Sequence, residues 1–189
     1  ACFALRPEGI RWPVLENKPS LRLEDLAFSN DINHSAHDAL SDVKATLEIV
    51  KRFRIHQPKL TSWMFEHRTK NKIYRFARQN IGKPMLYISP FVGHAQRYCT
   101  IVYCIDELYY ENQNPQKDIP NSLICIDLLK QTQPLFEFTQ EKLSELLYTK
   151  TEDQGQNHYR PPLYQVKLNQ FPTLLPIQGL LRTDAERLG

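Results

Sequence analysis

Apolar positions in the first third of the chain repeat at helical spacing. From Leu40 they recur at Val43, Leu47 and Val50, the interval that lines one face of a helix. A main helix is therefore predicted near 38–55, with a shorter one near 23–30. Pro58 ends the main helix, because a proline disfavours helical geometry at the preceding Gln57. A further helix is expected over about 61–79, stopping near Gly82 with Pro84 just beyond. Trp63, Ile73, Phe76 and Ala77 form its buried stripe. After Pro84 the period changes. Met85–Ile88, Tyr98–Ile105 and Ser122–Ile126 are rich in β-branched and aromatic residues and read as strands. Leu135–Phe138 reads as a short strand or extended lead-in, and Thr139 caps a helix carrying Leu143, Leu146 and Leu147. Leu163–Lys167 and Thr173–Ile177 complete a small sheet. The predicted class is α+β, divided into a helical part, 1–57, and a mainly β part, 58–189.

Composition supports a folded chain without adding chemistry. The 189 residues are 41% hydrophobic and 24% charged, enough for one ordinary domain and part of another. No run of eighteen apolar residues exists, so no membrane span is expected. The opening residues do not fit a signal peptide; they read as the end of a helix cut mid-domain. Cys2, Cys99, Cys104 and Cys125 lack Cys-x-x-Cys spacing, which favours reduced core thiols and a cytoplasmic setting. Thr183-Asp184-Ala185-Glu186 has the form of a capping box, with only three residues after it, as if a further domain began there.

The net charge of +3 says less than its distribution. Seven Lys or Arg stand against one acid between Lys59 and Lys83, with Trp63, Phe65, Tyr74 and Phe76 interleaved. Such a stretch suits a groove that tracks a nucleic-acid backbone; it also suits an amphipathic helix with aromatics inward and cations in water. Ten acids against four lysines follow from Asp106 to Asn157.

The stretch that carries chemistry is His37-Asp38-Ala39-Leu40-Ser41-Asp42. Two residues five apart on one helix point about 140° from each other. If His37 sits just before the helix and Asp42 in its second turn, both side chains enter one pocket. That pair suits metal-assisted phosphodiester hydrolysis, with a carboxylate for a divalent ion and an imidazole to take a proton from water. By itself the spacing is also that of an ordinary surface helix start. His34 and His37, three apart, could with Asp42 mimic a metal cluster, but His34 is disfavoured as a ligand because nothing supplies further ligands at suitable spacing. Arg22 suits a phosphate contact or an ion pair with Glu24 or Asp25. No nucleophile elbow or glycine-rich phosphate loop occurs.

Leu23 to Thr46 resembles the last motif of the proofreading-type 3′→5′ exonuclease superfamily. Arg6-Pro7-Glu8-Gly9-Ile10, Trp12-Pro13, Leu21-Arg22-Leu23-Glu24 and His34-Ser35-Ala36-His37-Asp38-Ala39 are similar to the bacterial exodeoxyribonuclease I family. Gln57-Pro58, His67-Arg68, Lys83-Pro84 and Arg187-Leu188-Gly189 extend the likeness over essentially the whole chain. The resemblance implies the helical C-terminal part of a ribonuclease H-like exonuclease domain followed by an SH3-like β-barrel domain with inserted helices. It implies a Mg²⁺-dependent, processive 3′→5′ exonuclease that degrades single-stranded DNA to 5′-mononucleotides in repair and recombination. His37 would be the general base and Asp42 a metal-binding carboxylate of a two-metal site. Arg22, Arg68, Lys70 and Lys72 would face DNA. The acidic tail of single-stranded-DNA-binding protein would meet Arg6, Trp63, Lys83 and Arg182. The family's other catalytic acids have no counterpart upstream, so the chain reads as a piece without cleavage activity of its own; a monomer is expected. The alternative is a binding module for single-stranded DNA or for the acidic tail. Pro90 departs from the family pattern, which has glycine there.

Overall fold

The structure is a computed structural model that describes residues 1–35, 38–93, 95, 97–148, 159–170 and 174–180. Its helical part holds α1 (Cys2–Leu5), a two-stranded ribbon of β1 (Val14–Leu15) and β2 (Lys18–Pro19), α2 (Leu23–Ser29) and α3 (Ala39–His56). Ile10, Leu26 and Ile49 form its core, flanked by Trp12, Ile32 and Phe53. Gly9 lies at the close approach of the first loop to the end of α3. Its φ of +81° is readily adopted only by glycine, and a Cβ there would land on the His56 imidazole.

One helical expectation is corrected here. Of the face chosen from periodicity, Leu40, Val43 and Leu47 are 61%, 55% and 54% exposed and only Val50 is half-buried, whereas α3 buries Ala45 and Ile49. Ala45 has no side chain beyond Cβ and is wholly covered, which lets neighbouring backbone come close. Steric fit decided which face packs.

The predicted helix over 61–79 is two helices, α4 (Pro58–Glu66) and α5 (Lys70–Gln79). Pro58 occupies the first turn of α4, where its missing N–H costs nothing. Thr69 is extended, and its hydroxyl accepts the Lys72 N–H at 3.4 Å, starting α5 as an N-cap. The stripe survives the break: Ile73, Tyr74, Phe76 and Ala77 are buried.

Five antiparallel strands follow: β3 (Met85–Ile88), β4 (Cys99–Leu108), β5 (Ser122–Asp127), β6 (Leu163–Lys167) and β7 (Leu174–Pro176), in the order β6-β5-β4-β3-β7. Both faces of β3 are covered. Met85 and Tyr87 pack with Ile73 and Phe76 of α5, while Leu86 packs with Ala4, Leu5 and Leu175 on the other side. That explains its unbroken apolar run. The Tyr87 and Tyr164 rings meet at 5.2 Å although β4 and β5 lie between their strands. Three strand spacings in a flat sheet span about 14 Å, so the sheet curls. Among the described residues β6 and β7 do not pair with each other, so the expected barrel is an open, curled sheet.

The segment expected as a short strand or extended lead-in at Leu135–Phe138 is instead a helical turn, α6 (Pro134–Glu137), opened by Pro134 and tied by the Gln133–Glu137 side-chain hydrogen bond, with only Phe138 extended. α7 (Gln140–Tyr148) follows, with Thr139 Oγ1 accepting the Lys142 N–H. The four cysteines are buried and form no disulfide with one another. Among the described residues no helix is long and apolar enough to cross a membrane.

Candidate catalytic helix start and partner groove

The head of α3 is built from a buried amide outward. Asn30, 1% exposed, accepts the Arg11 N–H and donates to the carbonyls of Arg11 and Leu26. These bonds fix the turn after α2 and deliver the loop that carries His34. Asp38 caps α3 by accepting the Ser41 N–H at 3.0 Å, and the Ser41 hydroxyl accepts the Ser35 N–H at 2.7 Å. A capping carboxylate at a helix N-terminus also meets the positive end of the macrodipole.

Asp42 is thereby presented in the first turn of α3, half-exposed, with Oδ1 2.7 Å from His34 Nε2. The His34 side chain is only 8% exposed. His34, disfavoured as a ligand, is thus in contact with the carboxylate. Separation by eight residues gives no periodic signal, since the contact depends on the turn that Asn30 holds. His37 lies outside the described residues. No group of three His, Cys, Asp or Glu side chains suited to a metal comes together among the described residues. A magnesium ion needs several oxygens, so these residues by themselves do not fit one.

The cations expected to face DNA divide. Arg22 lies 3.9 Å from Glu24, with both side chains largely in solvent. Arg68 donates to the Phe65 carbonyl, and Lys70 donates to the Ile119 carbonyl at 3.1 Å, tying α5 to the loop before β5. Lys72 is exposed.

Two of the expected tail-binding residues do converge. Arg6 and Trp63 line a groove of about 450 Å³ between α1, α4 and β7, together with Lys59, Leu60 and Leu175. The Arg6 guanidinium donates to the Gly179 carbonyl at 2.6 Å, joining the two ends of the described chain. Trp63 stacks on His67 at 4.1 Å and meets Phe76 edge-on at 5.3 Å, so its ring is held in place. An apolar floor with Arg6 and Lys59 at its rim suits a peptide that ends in a carboxylate beside an apolar side chain. Lys59 was missed by sequence reasoning, although it stands four residues before Trp63 on one helical face. Lys83 is exposed and is not among the residues lining the groove. Arg182 lies outside the described residues.

The Exonuclease I SH3-like domain family matches residues 68–189. Exodeoxyribonuclease I of Escherichia coli (strain K12) is 38% identical over 191 residues, covering 100% of this chain and 38% of that protein. A moderately thermophilic Exonuclease I from Methylocaldum szegediense superposes with a TM-score of 0.86 at 35% identity, covering 99% of this chain and 38% of that one. E. coli Exonuclease I in complex with a dT13 oligonucleotide gives a TM-score of 0.83 at 37% identity, covering 100% of this chain and 39% of that one. A zinc-bound E. coli ExoI–ssDNA complex (TM-score 0.82, 38% identity, 100% of this chain and 39% of that one) and an SSB/Exonuclease I complex with an inhibitor (0.78, 35%, 100% and 38%) are also similar. The chain spans about two fifths of the length of these relatives. With the family matched over more than half its residues, the chain belongs to the exonuclease I SH3-like domain family.

Proposed function

We propose that this chain is part of a Mg²⁺-dependent, processive 3′→5′ exonuclease that degrades single-stranded DNA to 5′-mononucleotides in the cytoplasm, in repair and recombination. The observation that carries this reading is the head of α3, where a buried imidazole holds the Asp42 carboxylate at 2.7 Å beside a capped helix N-terminus. His37 acts as the general base and Asp42 as one carboxylate of a metal site whose remaining ligands do not come together among the described residues. His34 is a positioning residue, since an orienting hydrogen bond fixes a carboxylate's rotamer. Residues 1–57 belong to the exonuclease domain and 58–189 to the SH3-like domain. The chain alone is a monomer without cleavage activity. It keeps Arg22, Arg68, Lys70 and Lys72 as DNA contacts. Two similar structures, one a dT13 complex and one a complex with SSB, support the choice of ligands.

The groove of Arg6 and Trp63 favours a second reading, in which the isolated chain acts as a binding module for the acidic tail of single-stranded-DNA-binding protein, with Lys83 and Arg182 as outer cations. Fluorescence anisotropy with oligo-dT and with an acidic, Phe-ended peptide tests both. Binding of oligo-dT without mononucleotide release in Mg²⁺ is the expected result. Cleavage by the chain alone would overturn its dependence on outside ligands, and no binding to either probe by folded protein would overturn both readings.

A further inference from the structure

The curl that brings β6 over β3 creates a second concave site, away from the Arg6 groove at the β7 edge. It has a volume of about 400 Å³ and is lined by Tyr87, Phe91, Lys130, Arg160, Tyr164 and Lys167, with two prolines between. That size falls among small-ligand sites, which run from about 300 to 1,000 Å³. Among the described residues its lining contains three cations and no acid.

Phe91 and Lys130 are each held in place. Phe91 sits on a 3₁₀ turn, Pro90–Val92, started by Ser89, whose hydroxyl accepts the Phe91 N–H at 3.3 Å. The turn leaves the Phe91 ring 85% exposed at the rim. Lys130 Nζ donates to the Tyr164 hydroxyl at 3.0 Å, lies 5.2 Å from the Tyr164 ring centre, and is 3.6 Å from Asp127. Asp127 is 1% exposed, so it anchors Lys130 without presenting negative charge to the cavity. An ammonium has three donors, and these two partners take at most two. Burial alone would lower the Lys130 pKa, but the Tyr164 hydroxyl and the Asp127 carboxylate outweigh it, and the net shift is upward. The group stays charged.

We propose that this cavity binds a nucleoside 5′-phosphate unit, stacking the base on Phe91 and holding the phosphate among Lys130, Arg160 and Lys167. Sites for single-stranded nucleic acid combine exposed aromatic faces with fixed cations in this way. An acidic peptide with an apolar anchor is matched better by the Arg6 groove, which Leu5, Leu60, Trp63 and Leu175 also line. The inference rests on the single-stranded-DNA reading and adds a contact on the sheet itself.

Phe91→Ala and the double variant Arg160→Gln/Lys167→Gln test it in the 189-residue chain, with far-UV circular dichroism as the check on folding. Loss of one stacked base weakens oligo-dT binding about tenfold in Phe91→Ala. The double variant flattens the slope of log affinity against log salt by about 1.4, or about 0.7 per phosphate contact. Loss confined to oligo-dT assigns the nucleotide to a strand, and a parallel loss of dTMP binding assigns it to a free mononucleotide; either supports the cavity. Wild-type affinity and slope in both variants would overturn it while leaving the single-stranded-DNA reading intact. Loss of acidic-peptide binding with unchanged DNA binding would also overturn it. Failure of the unsubstituted chain to bind oligo-dT or dTMP would remove it together with that reading.

Discussion

Asp127 is the most heavily committed charge in the described sheet, and replacing it has a cost that follows from its partners. Oδ1 accepts the Thr100 hydroxyl at 2.6 Å and the Leu129 N–H at 3.1 Å, while Oδ2 faces Lys130 at 3.6 Å. Thr100 is itself 2% exposed. Asp127→Ala removes two charge-assisted bonds and leaves the Thr100 hydroxyl buried without its acceptor. Each such bond is worth about 1.5–3 kcal/mol, and the stranded hydroxyl costs about 1–3 kcal/mol. These terms overlap, because both describe the same Thr100 contact, so the expected loss is about 3–4 kcal/mol. Asp127→Asn keeps an acceptor at Oδ1 and loses only the charge facing Lys130, for about 1–2 kcal/mol. Urea unfolding followed by circular dichroism reads the difference. With a slope of about 2 kcal/mol per molar urea, Asp127→Ala lowers the midpoint by about 1.5–2 M and Asp127→Asn by about 0.5–1 M. An alanine variant within 0.3 M of the parent would refute the accounting. An asparagine variant as unstable as the alanine one would show that charge, not the Thr100 acceptor, carries the effect.

Gly9→Ala forces a β-carbon onto the His56 imidazole at a φ of +81°, so a loss of about 2–4 kcal/mol is expected in the same unfolding assay; a change under 0.5 kcal/mol would show that the loop moves aside. Arg6→Ala removes the guanidinium that meets both Gly179 and the groove. Binding of an acidic, Phe-ended peptide is expected to weaken at least tenfold, since a charge-assisted bond is worth about 1.5–3 kcal/mol, and unchanged anisotropy would remove Arg6 from the site. Cys104 and Cys125 face each other across β4 and β5. A hydrogen bond from Cys125 lowers the Cys104 thiol pKa against the opposing effect of burial, while Cys125 is pushed upward. Iodoacetamide is therefore expected to label Cys104 before Cys125 as pH rises, and Cys125→Ala should move the labelling midpoint of Cys104 upward by removing its donor; equal labelling of the two thiols would contradict this.

Patterns of short range are readable in the chain itself. Helices α2 and α3 and strands β3 to β6 follow from local periodicity, turn residues and prolines, because backbone preference acts over a few residues. The Asp38–Asp42 helix start and the inward Ile73, Phe76 and Ala77 stripe belong to the same class. Thr69, which divides α4 from α5, was legible in principle as a capping residue but was masked by continuous apolar spacing across the break. The open face of Leu40, Val43 and Leu47 could not be read from its period, because periodicity names a face without naming what covers it. Tertiary structure alone decided the pairing of His34 with Asp42, the meeting of Arg6 with Trp63 and Lys59, and the curl that joins Tyr87 to Tyr164. Each joins residues from different elements, and the turns and sheet twist that bring them together are set by packing of the whole, not by the residues that meet.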